Sequence, residues 1–157
     1  MLKKVKVAKS RATGLRFAVV ASRYNARYVD SMLRAARREL RAAGAEAVDV
    51  VRVPGAFEVP VVAARLARRR TAPYDAILCL GVILRGETVH AEHIGRAVTG
   101  ALMRLQVETE RPLVHEVLLL ENTAQARRRC LDSEHNRGRE AAQTAIEMAR
   151  ALRALAE

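Results

Sequence analysis

Apolar residues along this chain change their spacing in a regular way, from short continuous runs to helical repeats and back. Phe17 to Ala21 is a β-rich apolar run, and after Asn25 the apolar positions fall at helical spacing through Val29, Met32, Leu33, Ala36 and Leu40 until Gly44. Ala47 to Val53 is again valine-rich and stops at Pro54-Gly55, Phe57 to Arg69 reads as a helix, and Ala76 to Leu84 is the next strand. His90 to Glu110 carries Ile94, Ala97, Val98, Ala101, Leu102 and Leu105 on one helical face. Val114 to Leu120 then reads as a strand, with Thr123 to Leu131 and Arg137 to Ala156 as helices. This alternation predicts an α/β three-layer sandwich, a mostly parallel four-stranded sheet flanked by helices on both faces.

No linker, repeat or low-complexity tract divides the 157 residues, so the reading is a basic arm over 1–14 and a single domain over 15–157. Half of the residues are apolar but only 3% are aromatic, which leaves alanine, valine and leucine to fill the core. The start, MLKKVKVAKSRATG, lacks the apolar centre of a secretory signal and reads as a solvated arm or an edge strand. The longest apolar stretch, Ala76 to Leu84, is far short of the roughly 20 residues a membrane helix needs. Cys79 and Cys130 show neither CxxC spacing nor a disulfide framework and read as reduced thiols. A cytoplasmic protein without membrane contact is expected.

The formal charge of +11 invites a nucleic-acid reading. Its distribution argues against one: the arginines are scattered over helical faces among Asp and Glu, and few aromatics are available to stack on bases. No nucleic-acid partner is expected.

In a parallel sheet the strand carboxyl ends share one edge, where ligands bind. The loops at Tyr24-Asn25, Pro54 to Glu58, Val82 to His90 and Glu121-Asn122 should converge there. The richest stretch is Leu80 to His93, LGVILRGETVHAEH. Its turn offers an anion the backbone N–H groups around Gly86, the Thr88 hydroxyl and the positive end of the following helix, with His90 one turn away. Each piece has a plainer reading: Tyr24 capping the sheet, Phe57 and Glu58 as an acidic first helical turn, Arg85-Gly86 as a simple turn. His90 is either a hydrogen-bonded histidine near a helix start or an acid–base group that Glu92 could orient. His90 and His93 share a helical face, but spacing marks no third metal ligand, and no metal is expected. Arg127, Arg128 and Arg129 look like a solvated face from which one guanidinium could turn to a phosphate.

Several motifs stand in one register over nearly the whole chain. They are Ala21-Ser22-Arg23-Tyr24-Asn25, Val53-Pro54-Gly55-Ala56-Phe57-Glu58-Val59-Pro60, Leu80-Gly81-Val82 through Arg85-Gly86-Glu87-Thr88-Val89-His90, and Asn136-Arg137-Gly138 leading into Glu140-Ala141-Ala142 and Ala145-Ile146-Glu147-Met148-Ala149. In these the chain resembles the 6,7-dimethyl-8-ribityllumazine synthases of riboflavin biosynthesis. The resemblance implies a flavodoxin-like sandwich, a ring of five subunits with sites between neighbours, and in some members twelve pentamers closed into a shell. It implies condensation of 5-amino-6-(D-ribitylamino)uracil with 3,4-dihydroxy-2-butanone 4-phosphate, without metal or organic cofactor.

By that resemblance Tyr24, with Asn25 beside it, would meet the pyrimidine, Ala56, Phe57 and Glu58 would hold the ribityl chain, and Val82, Ile83 and Leu84 would bind through backbone groups. Glu87 and Thr88 would cradle the phosphate with Arg129 of the neighbouring subunit, and His90 would transfer protons. Two positions depart from the family pattern. His115 stands where an aromatic residue commonly closes over the pyrimidine from the adjacent subunit, and Ser133 stands where a loop lysine is common. A homologue that binds lumazine or flavin, or forms a shell, without turnover is the alternative.

Overall fold

The computed structural model describes Lys3, Lys4 and residues 10–156. Strand β1 (Arg16–Ser22) leads into α1 (Ala26–Ala42), and β2 (Ala47–Val53) into a 3₁₀ turn (Ala56–Glu58) and α2 (Val59–Ala67). Then come β3 (Ala76–Leu84), α3 (His90–Thr109), β4 (Leu113–Leu120), the short α4 (Thr123–Ala126) with a π-helical turn (Arg127–Leu131), and α5 (Arg137–Leu155). The sheet runs β2-β1-β3-β4 and every pairing is parallel. The α/β sandwich expected from the alternation is therefore the observed architecture.

The two central strands explain their own sequences. In β1, Phe17, Val19 and Ala21 face α1 and α5, while Ala18 and Val20 face the opposite layer of α2 and α3. In β3, Ala76, Leu78, Leu80 and Val82 take the first face and Ile77 and Cys79 the second. A strand covered on both sides has no reason to alternate, which is why both read as unbroken apolar runs. Phe17, Ile77, Leu78 and Leu80 are fully enclosed, and such side chains contribute roughly 1.5–3 kcal/mol each on burial.

The helix expected over Phe57 to Arg69 starts two residues late, because the chain first makes the 3₁₀ turn and leaves Phe57 exposed. Pro60 sits in the first turn of α2, where its missing N–H costs nothing. Among the described residues of the basic arm, Ala12 is fully buried, its N–H bonds to the Ala43 carbonyl at 2.8 Å, and Thr13 bridges Ala45 in antiparallel sense. The end of the arm is thus stapled to the α1–β2 turn, and Lys4 reaches Glu134 at 2.9 Å. Residues 1–2 and 5–9 of the arm lie outside the described residues.

Helix α5 closes the sandwich by pressing on α1. Its N-cap, Asn136, is buried and accepts the Gly138 N–H at 2.9 Å while donating to the Cys130 carbonyl at 2.6 Å. Gly138 lies against the α1 backbone so closely that a Cβ would overlap the Met32 carbonyl. Beside it, Arg137 grips the buried Glu116 of β4 with two bonds, 2.8 and 3.1 Å, and Glu140 with a third of 2.6 Å. Burial raises the Glu116 pKa and the Arg137 guanidinium opposes that rise without cancelling it.

Two expectations follow. Gly138→Ala should lower stability by on the order of 3 kcal/mol, since backbone rather than a flexible side chain must give way; a urea midpoint within experimental error of wild type would show that α5 can shift freely. Arg137→Ala should cost about 3 kcal/mol at pH 7.5, because it strands a buried carboxylate. Glu116 is already easier to protonate folded than unfolded, so the folded state gains protons as pH falls through that window. The deficit of Arg137→Ala should therefore narrow between pH 7.5 and 5, as read by urea unfolding at both values, and a constant deficit would count against this account.

Candidate functional site

Strand order reverses direction between β1 and β3: the chain moves outward from β1 to β2, then returns across the sheet to β3 and β4. Crevices form at such a switch on the carboxyl edge. A cavity of about 970 Å³ opens there, walled by the loops after β1 and β2, the end of β3 and the first two turns of α3.

The first wall is held by Asn25. It adopts a left-handed conformation (φ 56°), which asparagine tolerates better than most residues, and begins α1 as its N-cap. Its side-chain amide donates to the Val82 carbonyl at 2.7 Å, tying the end of β1 to the end of β3. The amides of Arg23 and Tyr24 bond to the carbonyls of Val53 and Pro54 at 2.8–3.1 Å, which ties the same loop to β2. From β2, Arg52 donates to the carbonyls of Ala21 and Ser22 and pairs with Asp30 at 2.7 Å. Tyr24 is thereby fixed by its backbone while its side chain stays 70% exposed.

The second wall is the Gly55 turn. The Gly55 N–H donates to Glu58 Oε2 at 2.9 Å, which aims the carboxylate back along the turn. A Cβ at Gly55 would stand 2.8 Å from the Tyr24 ring and 3.1 Å from Glu58 Oε2, so glycine is what lets ring and carboxylate close over this backbone. Ala56, Phe57 and Glu58 all line the cavity, with Phe57 63% exposed. Val82, Ile83 and Leu84 form its floor at the end of β3.

The third wall is α3. His90 opens the helix on the cavity side, and its N–H points to Thr88 Oγ1 at 3.4 Å. His93, Ile94 and Ala97 continue the same stripe down the helix into the cavity. Helical spacing puts Ile94 and Ala97 on one face with the buried Val98, Leu102 and Leu105, and it does not mark His93 as a residue of the pocket. A stripe at positions i, i+3, i+4 and i+7 marks a face turned inward, and core and cavity look alike to that signal.

Other expected residues lie elsewhere. Glu87 and Thr88 are exposed on the turn before α3 and do not line the cavity. Glu92 pairs with Arg85, which also approaches Glu121 at 3.4 Å, so the recorded ion-pair partner of Glu92 is the loop arginine and not His90. Of the three consecutive arginines, Arg127 and Arg128 are exposed while Arg129 is half-buried in the π-helical turn, close enough to Glu116 to favour its charge. Within one chain neither Arg129 nor His115 reaches the cavity. His115 faces α3 instead, with Nε2 2.7 Å from Thr99 Oγ1 and Nδ1 accepting the Val117 N–H at 3.1 Å. Burial lowers its pKa and favours the neutral ring.

Among the described residues one group, Asp132, Glu134 and His135, brings donor atoms close enough to share a metal ion. It lies outside the cavity: Lys4 pairs with Glu134, and His135 Nδ1 stands 3.2 Å from Asp132. No helix among the described residues is long and apolar enough to cross a membrane.

What the geometry offers is an open pocket with aromatic faces, a positioned carboxylate, strand-end backbone groups and an imidazole, beside a helix N-terminus. Comparison with known proteins points the same way. A family profile described as 6,7-dimethyl-8-ribityllumazine synthase matches residues 14–153. The enzyme of that name from Kineococcus radiotolerans is 46% identical over 92% of this chain and 89% of its own length. Those of Stenotrophomonas maltophilia and Xanthomonas euvesicatoria are 44% and 40% identical, over 89% and 88% of this chain and 90% of their own lengths. The chain belongs to the 6,7-dimethyl-8-ribityllumazine synthase family.

Proposed function

We propose that this chain condenses 5-amino-6-(D-ribitylamino)uracil with 3,4-dihydroxy-2-butanone 4-phosphate to form 6,7-dimethyl-8-ribityllumazine, releasing phosphate and water, as a cytoplasmic homo-oligomer. The observation that carries this reading is the meeting of Tyr24, Glu58, the strand-end groups of Val82 to Leu84 and His90 around one cavity, in a chain of this family.

The pyrimidine lies against Tyr24, and its ribityl chain runs over the Gly55 turn, where Glu58 accepts hydroxyl protons. Backbone groups of Val82, Ile83 and Leu84 read the polar edge of the ring. The phosphate sits at the turn of Glu87 and Thr88, before the positive end of α3. The aromatic amine attacks the ketone and water leaves, giving an imine. Loss of a proton from the adjacent carbon expels phosphate, the resulting enol tautomerises, and the ribityl-bearing nitrogen closes the ring with loss of a second water. His90 stands at the boundary between pyrimidine and phosphate and moves these protons. Holding two substrates in register contributes roughly 7 to 11 kcal/mol, and His90 adds about 10²- to 10⁴-fold.

A single chain leaves the cavity open, with Tyr24 and Phe57 wet and the guanidinium of Arg129 and the ring of His115 outside it. This supports an assembly of five subunits, alone or as twelve rings in a shell, in which a neighbour supplies Arg129 to the phosphate and His115 to the outer face of the pyrimidine. Optical detection of lumazine from the two substrates, with matching phosphate release above the uncatalysed rate, tests the reading; background-only formation by folded protein overturns it. Arg129→Ala should raise the KM of the butanone phosphate at least tenfold and spare that of the pyrimidine, and equal losses would remove the phosphate role. His90→Ala should lower kcat about 10²-fold with pyrimidine binding intact, whereas a collapse of that binding would make the histidine structural.

A further inference from the structure

His115 is held by both of its ring nitrogens. The Val117 amide can only donate, so Nδ1 at 3.1 Å accepts and carries no proton. The proton then belongs to Nε2, and the Thr99 hydroxyl 2.7 Å away, on the facing helix α3, takes it as acceptor. Two bonds from two different elements fix the ring plane as well as the tautomer. Burial works against an imidazolium, and a backbone hydrogen bond at His115 offsets that only in part. Arg85, Glu92 and Arg96 line the shallow cavity that Thr99 and Val117 share, and Glu92 there is paired with Arg85. On β3 the residue in register with His115 is Cys79, a wholly buried thiol pushed up to about 12 by burial. Glu116 points to the other face of the sheet, where Arg137 holds it.

We propose that Thr99 is a positioning residue for substrate recognition: with the Val117 amide it locks His115 as the Nε2–H tautomer, both nitrogens occupied, so that the ring meets the pyrimidine of a neighbouring subunit through its π face alone. The proposal rests on the functional reading above, in which His115 closes over that ring. A histidine with a free nitrogen would exchange hydrogen bonds or protons with a ligand rich in donors and acceptors. This one is reduced to a flat, neutral plate, which leaves proton transfer to His90. Protonating it would put an Nδ1–H against the Val117 N–H, two donors face to face, so stacking stays constant over the pH range in which a free histidine titrates.

Two measurements test this on the intact protein. Nitrogen-15 spectra of the histidine rings, with His115→Phe to identify the signal, should show a single Nε2–H tautomer that does not titrate between pH 8 and 6. The Nδ1–H tautomer, a mixture, or a midpoint near the ordinary ~6.5 overturns the lock, whether or not the protein makes lumazine. Equilibrium binding of 5-amino-6-(D-ribitylamino)uracil, with the KM of the butanone phosphate as control, tests the consequence. Thr99→Val should weaken pyrimidine binding about three- to tenfold, the range expected from one lost hydrogen bond, and leave the butanone phosphate KM unchanged. Thr99→Ser should bind as wild type does. In a His115→Phe background Thr99→Val should change nothing, because the residue acts only through the imidazole. Equal losses in both backgrounds, or losses shared by both substrates, would make Thr99 structural and overturn its role.

Discussion

One hydrogen bond fixes where everything else at the site can be: the Asn25 amide on the Val82 carbonyl. It spans the point at which the chain changes direction across the sheet, between the ends of β1 and β3. The left-handed backbone at Asn25 lets one residue both turn the chain into α1 and present its side chain to β3. With the Arg23 and Tyr24 amides on β2, three loops become one surface. The pocket is therefore a property of how strands end, and its aromatic and acidic side chains are placed by backbone bonds.

The opposite half of the molecule is organised by charge. Glu116 follows His115 in a strand whose other residues are all apolar and is buried at 4% exposure, a position a carboxylate occupies only with a partner. Arg137 meets it in the two-point geometry that suits a guanidinium, one residue before the glycine that lets α5 touch α1. A strongly basic chain thus spends part of its arginine inside the structure, binding layers together. Arg52, on the carbonyls at the end of β1, acts similarly.

Most of the fold was legible because each layer writes its own period. Unbroken apolar runs marked β1 and β3, buried on both faces, and 3.6-residue spacing marked α1 and α3. The pocket loops were legible as chemistry at strand ends. What escaped the sequence was local geometry decided by neighbours. The 3₁₀ turn at Ala56 to Glu58 forms because Glu58 folds back on the Gly55 amide, and no periodicity records that. The π-helical turn that half-buries Arg129 has no composition of its own. Glu92 was expected beside His90, but Arg85 stands within reach on the preceding loop and claims its charge. His115 read as a departure from a family pattern, and only the facing helix reveals its tie to Thr99.

The meeting of α1 and α5 also sets a schedule for synthesis. Asn136 and Gly138 close on Ser31 and Met32, residues made more than a hundred positions earlier, and α5 is made after all four strands of the sheet. While the ribosome is still adding β3, α3 and β4, the apolar face of α1 around Met32, Leu33 and Ala36 has no helical cover. A chain halted before α5 would carry all four strands of the sheet with one greasy side, the kind of intermediate that aggregates or recruits a chaperone. A stop between β4 and α5 therefore removes the cover of one whole face of the sheet.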